Sequence, residues 1–246
     1  MLGLPQHVTA CLFDLDGVLT QTALVHNAAW KQTFDTFLQT RSAQHGEPFV
    51  PFDSGADYQR FVDGRPRADG VRTFLASRGI TLPEGSPDDG PDQLTVNGIG
   101  NKKNAVVLQK IKEGAVQVYP GSVEYLKAAR DAGLRRVVVS ASANCKDVLE
   151  AAGIADLIEE RVDGVTAREQ SLPGKPAPDT FLYGAKLLGL PPAACAVFED
   201  AQAGVAAGRA GHFGIVVGVD RVGQHDALLE HGADIVVTDL SELLTR

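Results

Sequence analysis

Five short runs in this chain are apolar at every central position: VTACLF at 8–13, RRVVVS at 135–140, CAVFED at 195–200, FGIVVGV at 213–219 and ADIVVTD at 233–239. A strand with one wet face alternates polar and apolar residues, whereas one covered on both faces does not. Helical patterns separate the runs. GSVEYLKAARDAGL (121–134) sets Val123, Leu126 and Ala129 at helical spacing, with Gly133 near its end. PDTFLYGAKLLGL (178–190) and AQAGVAAGRAG (201–211) read the same way. Doubly covered strands alternating with helices imply an α/β fold, a doubly wound parallel sheet.

One region breaks the alternation. Between the first run and the run at 135–140 lies a long stretch without a convincing apolar strand. Helical patterns occupy roughly 23–40, 55–62, 69–78 and 101–113, and TLPEGSPDDGPDQLTVNGIG (81–100), rich in Gly, Pro and Asp, reads as an exposed loop. The expected organisation is a sheet domain, 1–21 with 116–246, interrupted by an α-helical domain at 22–115.

A chain of 246 residues suffices for one large domain or two small ones. Its net charge of -8 argues against binding nucleic acid or an anionic membrane, but leaves room for a local basic site and an anionic small molecule. Cys11, Cys145 and Cys195 all lie in or beside apolar runs, which reads as buried free thiols in a reducing compartment. The N-terminal stretch lacks the pattern of a secretory signal, and no run reaches the length of a membrane span. A cytoplasmic monomer is the expectation.

In an open parallel sheet, ligands bind beyond the carboxyl ends of the strands. Asp14 and Asp16 follow the first strand, Ser140, Ser142 and Asn144 the second, and Glu199 and Asp200 the CAVF run. Lys175 lies in a Gly-Lys-Pro stretch just before a helix. Asp14, Glu199 and Asp200 offer hard oxygen ligands of the kind Mg²⁺ accepts, and a lysine with a divalent cation would relieve their mutual repulsion. A hydroxyl, an ammonium and main-chain N–H groups suit a phosphoryl group. A carboxylate can attack phosphorus, and a second one two residues along an extended backbone points the same way, placed for proton transfer.

The motifs DLDGVLT (14–20), SAS (140–142), GKPAP (174–178) and EDAQAG (199–204) occur in an order that resembles the haloacid dehalogenase superfamily of phosphotransferases. That resemblance implies a Rossmann-like core with a helical cap inserted after the first strand. It implies Asp14 as nucleophile, Asp16 as acid and base, and Ser140 and Lys175 on the transferring phosphoryl. Mg²⁺ would be held by Asp14, the main-chain carbonyl of Asp16 and Asp200, with Glu199 as a further ligand or its neighbour. DGVLTQTALVHNAAW (16–30), SASAN (140–144) and KPAPD (175–179) are similar, more narrowly, to the β-phosphoglucomutase-like subfamily. This implies Thr22, His26 and Trp30 at the junction with the cap, with His26 paired to Asp16. It also implies Arg67 in VDGRPR as clamp of the non-transferring phosphate, aided by Ser142 and Asn144, and Lys103 near the substrate. The implied reaction interconverts β-D-glucose 1-phosphate and glucose 6-phosphate through glucose 1,6-bisphosphate. A sugar-phosphate or phosphoglycolate-type phosphatase shares every core residue, and a non-catalytic sugar-phosphate sensor would need no nucleophile.

Structural readings stand beside these. Asp-Gly is a common turn, and Asp200, Ser142 and Asn144 are each placed to cap a following helix. His26 and Trp30 sit where a helix would pack them, and Arg67 or Lys103 could simply be solvated. NGIG (97–100) has no strand before it, so it is not read as a dinucleotide site.

Overall fold

A computed structural model describes residues 2–114 and 116–245. The chain forms two compact units, residues 1–21 with 116–246 and residues 22–115. The first is built on a parallel sheet of six strands among the described residues: β1 (Ala10–Phe13), β2 (Arg135–Val139), β3 (Glu160–Val162), β4 (Cys195–Glu199), β5 (Ile215–Val219) and β6 (Ile235–Val237). Their order across the sheet is β3-β2-β1-β4-β5-β6, so the strand sequence reverses between β1 and β4. This is a Rossmann-like doubly wound arrangement, and the reversal opens the crevice where such sheets bind ligands.

Four of the apolar runs became the central strands β2, β1, β4 and β5, covered on both faces, while the fifth became the edge strand β6, a correction to its expected double cover. Every residue of β1, β4 and β5 is buried, while the edge strands β3 and β6 are partly wet. In register, Phe13 of β1 stands beside Phe198 of β4, their rings stacked at 4.5 Å. Leu12, Val137, Val139 and Val197 pack with Phe181, Ala185 and Val205 into one continuous core.

The second unit consists of α1 (Thr22–His45), a π-helical turn at Tyr58–Val62, α2 (Arg67–Ser77) and α3 (Val96–Lys112). An aromatic core joins them: Phe34 lies 4.9 Å from Trp30 and 4.1 Å from Phe74, ring centre to ring centre. Residues 96–100 are helical, a correction to the loop expected over 81–100. The Thr95 hydroxyl starts α3 by accepting the Gly98 N–H at 2.9 Å.

The sheet unit adds α4 (Pro120–Asp131), α5 (Cys145–Ala151), α6 (Gly164–Glu169), α7 (Asp179–Leu187), α8 (Gln202–Ala210) and α9 (His225–Glu230). No helix among the described residues is long and apolar enough to cross a membrane.

Cys11, Cys145 and Cys195 are all free and buried. Burial raises the thiol pKa of Cys11 and Cys145, and pushes Cys195 up to about 11. Native protein is therefore expected to show no reaction with Ellman's reagent at pH 8, and denatured protein three thiols. Rapid titration of even one native thiol would contradict this burial.

Candidate active site

Three central strands end on one lysine. Asp14 follows β1, Val139 closes β2 and Glu199 closes β4. Lys175 Nζ donates to Asp14 Oδ1 at 2.5 Å and to the Val139 carbonyl at 3.0 Å, and lies 2.5 Å from Glu199 Oε1. Two of those contacts are hydrogen bonds and the third is an ion pair. The lysine is buried, with the Phe181 ring 4.8 Å below it. Burial opposes its charge, but Asp14 and Glu199 outweigh that penalty and hold its pKa above the ordinary lysine value.

The acidic side is crowded. Asp14, Glu199 and Asp200 are all buried, and each offers an oxygen within 4.8 Å of the others. Burial raises the Asp14 pKa well above the usual range; Glu199 and Asp16 push it further, against the pull of Lys175. Asp14 and Glu199 share the Lys175 ammonium, Asp200 stands within the same cluster, and Asp16 is near enough to act on the Asp14 charge. A hard divalent cation fits this donor set, because it is all oxygen and carries an excess of negative charge. Glu199 is already engaged on both oxygens, Oε1 by Lys175 and Oε2 by the Ala201 N–H at 3.1 Å.

Two glycines make the crowding possible. Gly17 has φ +96°, and a Cβ there would fall on the Asp200 carboxylate. A Cβ on Gly204 would fall on the carboxylate of Glu199. Glycine is required at the first by backbone conformation as well as space, and at the second by space alone.

The β2 loop brings the remaining core candidates to the same end of the sheet. Ser140 is buried, its hydroxyl 3.5 Å from Asp16 Oδ2 and accepting the Ser142 N–H at 3.1 Å. The Ser142 hydroxyl accepts the Asn144 N–H at 3.2 Å, and Asn144 is buried. Asn144 occupies the N-cap position of α5 without a side-chain cap, so its capping reading does not hold, and Ala201, not Asp200, occupies that position before α8.

In the helical unit, Lys103 of α3 is buried and donates to His26 Nδ1 of α1 at 2.7 Å. An ammonium can only donate, so the His26 ring proton sits on Nε2. Trp30 is buried in the helical core and carries the Lys103 ammonium 4.8 Å from its ring centre. Trp30 therefore packs, and supports Lys103. Arg67 begins α2 and donates to Asn101 Oδ1 at 2.9 Å, and Thr22 is buried at the start of α1.

Sequence reasoning missed two partners of Lys175, the Val139 carbonyl and the Phe181 ring. A main-chain carbonyl leaves no mark in composition. Phe181 stands six residues after the lysine, in a helix whose apolar face reads only as core.

The model of a haloacid dehalogenase-like hydrolase family matches residues 8–212. The chain belongs to that family. Among the family's proteins, a β-phosphoglucomutase of Mycobacterium tuberculosis is 56% identical over 247 residues, covering 99% of this chain and 94% of the relative. Another M. tuberculosis protein, named only as an uncharacterized glycosyl hydrolase, is 38% identical over 232 residues, which are 94% of this chain but 17% of that protein. The crystal structure of a β-phosphoglucomutase from Clostridium difficile superposes with a TM-score of 0.75 at 25% identity, covering 96% of this chain and 93% of that one. Within the haloacid dehalogenase family the chain stands with the β-phosphoglucomutase-like proteins, and it is an enzyme of the phosphotransferase kind.

Proposed function

We propose that the enzyme is a Mg²⁺-dependent β-phosphoglucomutase, interconverting β-D-glucose 1-phosphate and glucose 6-phosphate. The observation that carries this reading is 56% identity to a β-phosphoglucomutase across both units, over nearly the full length of each chain. In this proposal residues 22–115 serve as the cap of the sheet domain.

Asp14 is the nucleophile. Its carboxylate, restrained by Lys175, attacks a phosphorus of glucose 1,6-bisphosphate; the P–O bond to the sugar breaks, Asp16 protonates the departing sugar oxygen, and the phosphoryl group stays on Asp14 as an acyl phosphate. Asp16 accepts the proton of the sugar hydroxyl that receives this phosphoryl group, giving glucose 1,6-bisphosphate. The bisphosphate turns round, its other phosphoryl group passes to Asp14, and Asp16 returns the proton to the leaving oxygen. Ser140 and Lys175 hold the transferring group. Arg67, Lys103, Ser142, Asn144, Thr22, His26 and Trp30 hold the substrate, with His26 and Trp30 also setting the position of Lys103. Asp14, Asp200 and the Asp16 carbonyl would hold Mg²⁺, with Glu199 beside them. The ion would supply positive charge against the phosphoryl oxygens.

The test is product identity. With Mg²⁺, β-D-glucose 1-phosphate and a trace of the bisphosphate, glucose 6-phosphate is expected without free phosphate, and EDTA is expected to stop it. Phosphate release matching substrate loss would instead establish a phosphatase. Arg67→Ala is expected to weaken mutase turnover about tenfold to 100-fold while sparing hydrolysis of p-nitrophenyl phosphate, which has no second phosphate to clamp.

A further inference from the structure

The loop after β5, residues 220–224, meets the catalytic segments from the side of β6, and no motif marks it. It is stiffened from within. Asp220 Oδ1 accepts the N–H groups of Val222, Gly223 and Gln224 at 3.1, 2.7 and 2.8 Å.

Two side chains leave this loop for the site. Arg221 Nε donates to the Gly17 carbonyl at 2.9 Å, and Nη2 donates to the Val18 carbonyl at 3.3 Å and the Ser122 hydroxyl at 3.4 Å. Its Nη1 donates to the Thr238 carbonyl at 2.7 Å and to Asp239 Oδ2 at 3.3 Å. A guanidinium has five N–H donors, and these are five acceptors. The group also stacks 3.6 Å from the centre of the ring of Tyr119, a residue whose main-chain N–H donates to the Leu19 carbonyl at 3.0 Å. Gln224, also buried, donates Nε2–H to the Asp200 main-chain carbonyl at 2.8 Å and accepts from Gln202 at 3.2 Å.

We infer that Arg221 and Gln224 are positioning residues, holding the backbone of Gly17–Val18 and of Asp200 so that the carboxylates of Asp14, Asp16 and Asp200 keep their mutual places. The inference rests on the phosphotransferase reading of the site. The segment after β1 needs an outside hold because it turns through Gly17 at φ +96°, where no side chain stiffens the chain. It is also bonded within itself, Gly17 N–H to the Thr20 carbonyl, Leu19 and Thr20 N–H to the Leu15 carbonyl, and the Thr20 hydroxyl to the same carbonyl at 3.1 Å. Arg221 adds two carbonyl contacts from a group that Thr238 and Asp239, just after β6, and Ser122 of α4 fix in turn. Arg221 reaches the Gly17 and Val18 carbonyls and Gln224 the Asp200 carbonyl, so they act through the backbone.

Geometry and charge make different forecasts. If Arg221 served only as a positive charge, lysine would replace it; if the planar fork matters, lysine fails, having three donors and no plane to stack. Arg221→Ala is expected to lower kcat about 100-fold on p-nitrophenyl phosphate and on β-D-glucose 1-phosphate, with KM little changed. Arg221→Lys should remain about tenfold or more below the parent, and Gln224→Leu should fall about tenfold. Hydrogen exchange read by mass spectrometry should quicken over residues 14–20 in both Arg221 variants, and around Asp200 in Gln224→Leu, with β5 unchanged. Full activity in Arg221→Lys, or unaltered exchange over 14–20, would overturn the inference. Should Arg221→Ala not fold, the other two variants decide it. A parent enzyme inert towards both esters would defeat the phosphotransferase reading, while the exchange measurement would still judge the positioning.

Discussion

Asp14→Asn is expected to abolish phosphoryl transfer while the protein stays folded. Asparagine keeps the shape but offers no anionic oxygen to phosphorus, and loss of a covalent nucleophile costs enzymes on the order of 10⁴-fold or more. The fold should survive because Lys175 keeps two of its partners, the Val139 carbonyl and Glu199. Burial already works against the charge of Asp14, so a neutral amide there removes a desolvation cost along with an ion pair. The check is double. Parent enzyme treated with acetyl phosphate should gain the mass of one phosphoryl group, labile to hydroxylamine, and Asp14→Asn should gain none. A variant that turns over within tenfold of the parent would remove Asp14 from the role of nucleophile.

Lys175→Met is expected to damage both catalysis and stability. It deletes the cation between Asp14 and Glu199, which are both buried. Removing one partner of a buried ion pair costs about 3–5 kcal/mol, because the other charge is left uncompensated. The loss should depend on pH in a definite sense. Burial raises the Asp14 pKa and Lys175 is what restrains it, so without the lysine the folded-state value rises further. A carboxyl whose folded pKa exceeds its unfolded value holds its proton more tightly in the native state. Stability is then retained at acid pH and declines as pH rises through the unfolded value, about 4. Urea melts should therefore show a deficit against the parent that widens from pH 5 to pH 8. Equal stability at pH 8 would mean that the lysine does not hold this cluster together.

The central strands were legible because burial on both faces confines polar residues to strand ends, Arg135 and Arg136 opening β2 and Glu199 closing β4, and leaves apolar runs between them. Strand β3 left none. It is three residues long, at the sheet edge, with Glu160 exposed and Arg161 half-buried. The start of α3 was hidden for a different reason. Gly98 and Gly100 read as loop, but they serve close approach: a Cβ on Gly98 would strike the Gln93 carbonyl, and one on Gly100 would crowd the Arg67 side chain at 3.3 Å. Tertiary packing there overrides glycine's poor helix propensity. At the site, Asp14, Glu199 and Asp200 were legible as polar residues where apolar runs stop. Arg221 was not, since an arginine after a strand looks like any solvated one until its five acceptors are located.

The crossing of the chain between its two units has a consequence for descent as well as for design. Gln21 N–H donates to the Gln117 carbonyl at 2.8 Å, and Tyr119 N–H to Leu19 at 3.0 Å, so the departing and returning segments run side by side. Everything between them enters and leaves through one narrow doorway in the sheet unit. For such an insertion, loop-closure entropy grows only slowly with length, and the strand ladder is indifferent to what is threaded through. The helical unit is thus a cassette: it can be lengthened, trimmed or exchanged for another without rebuilding the sheet.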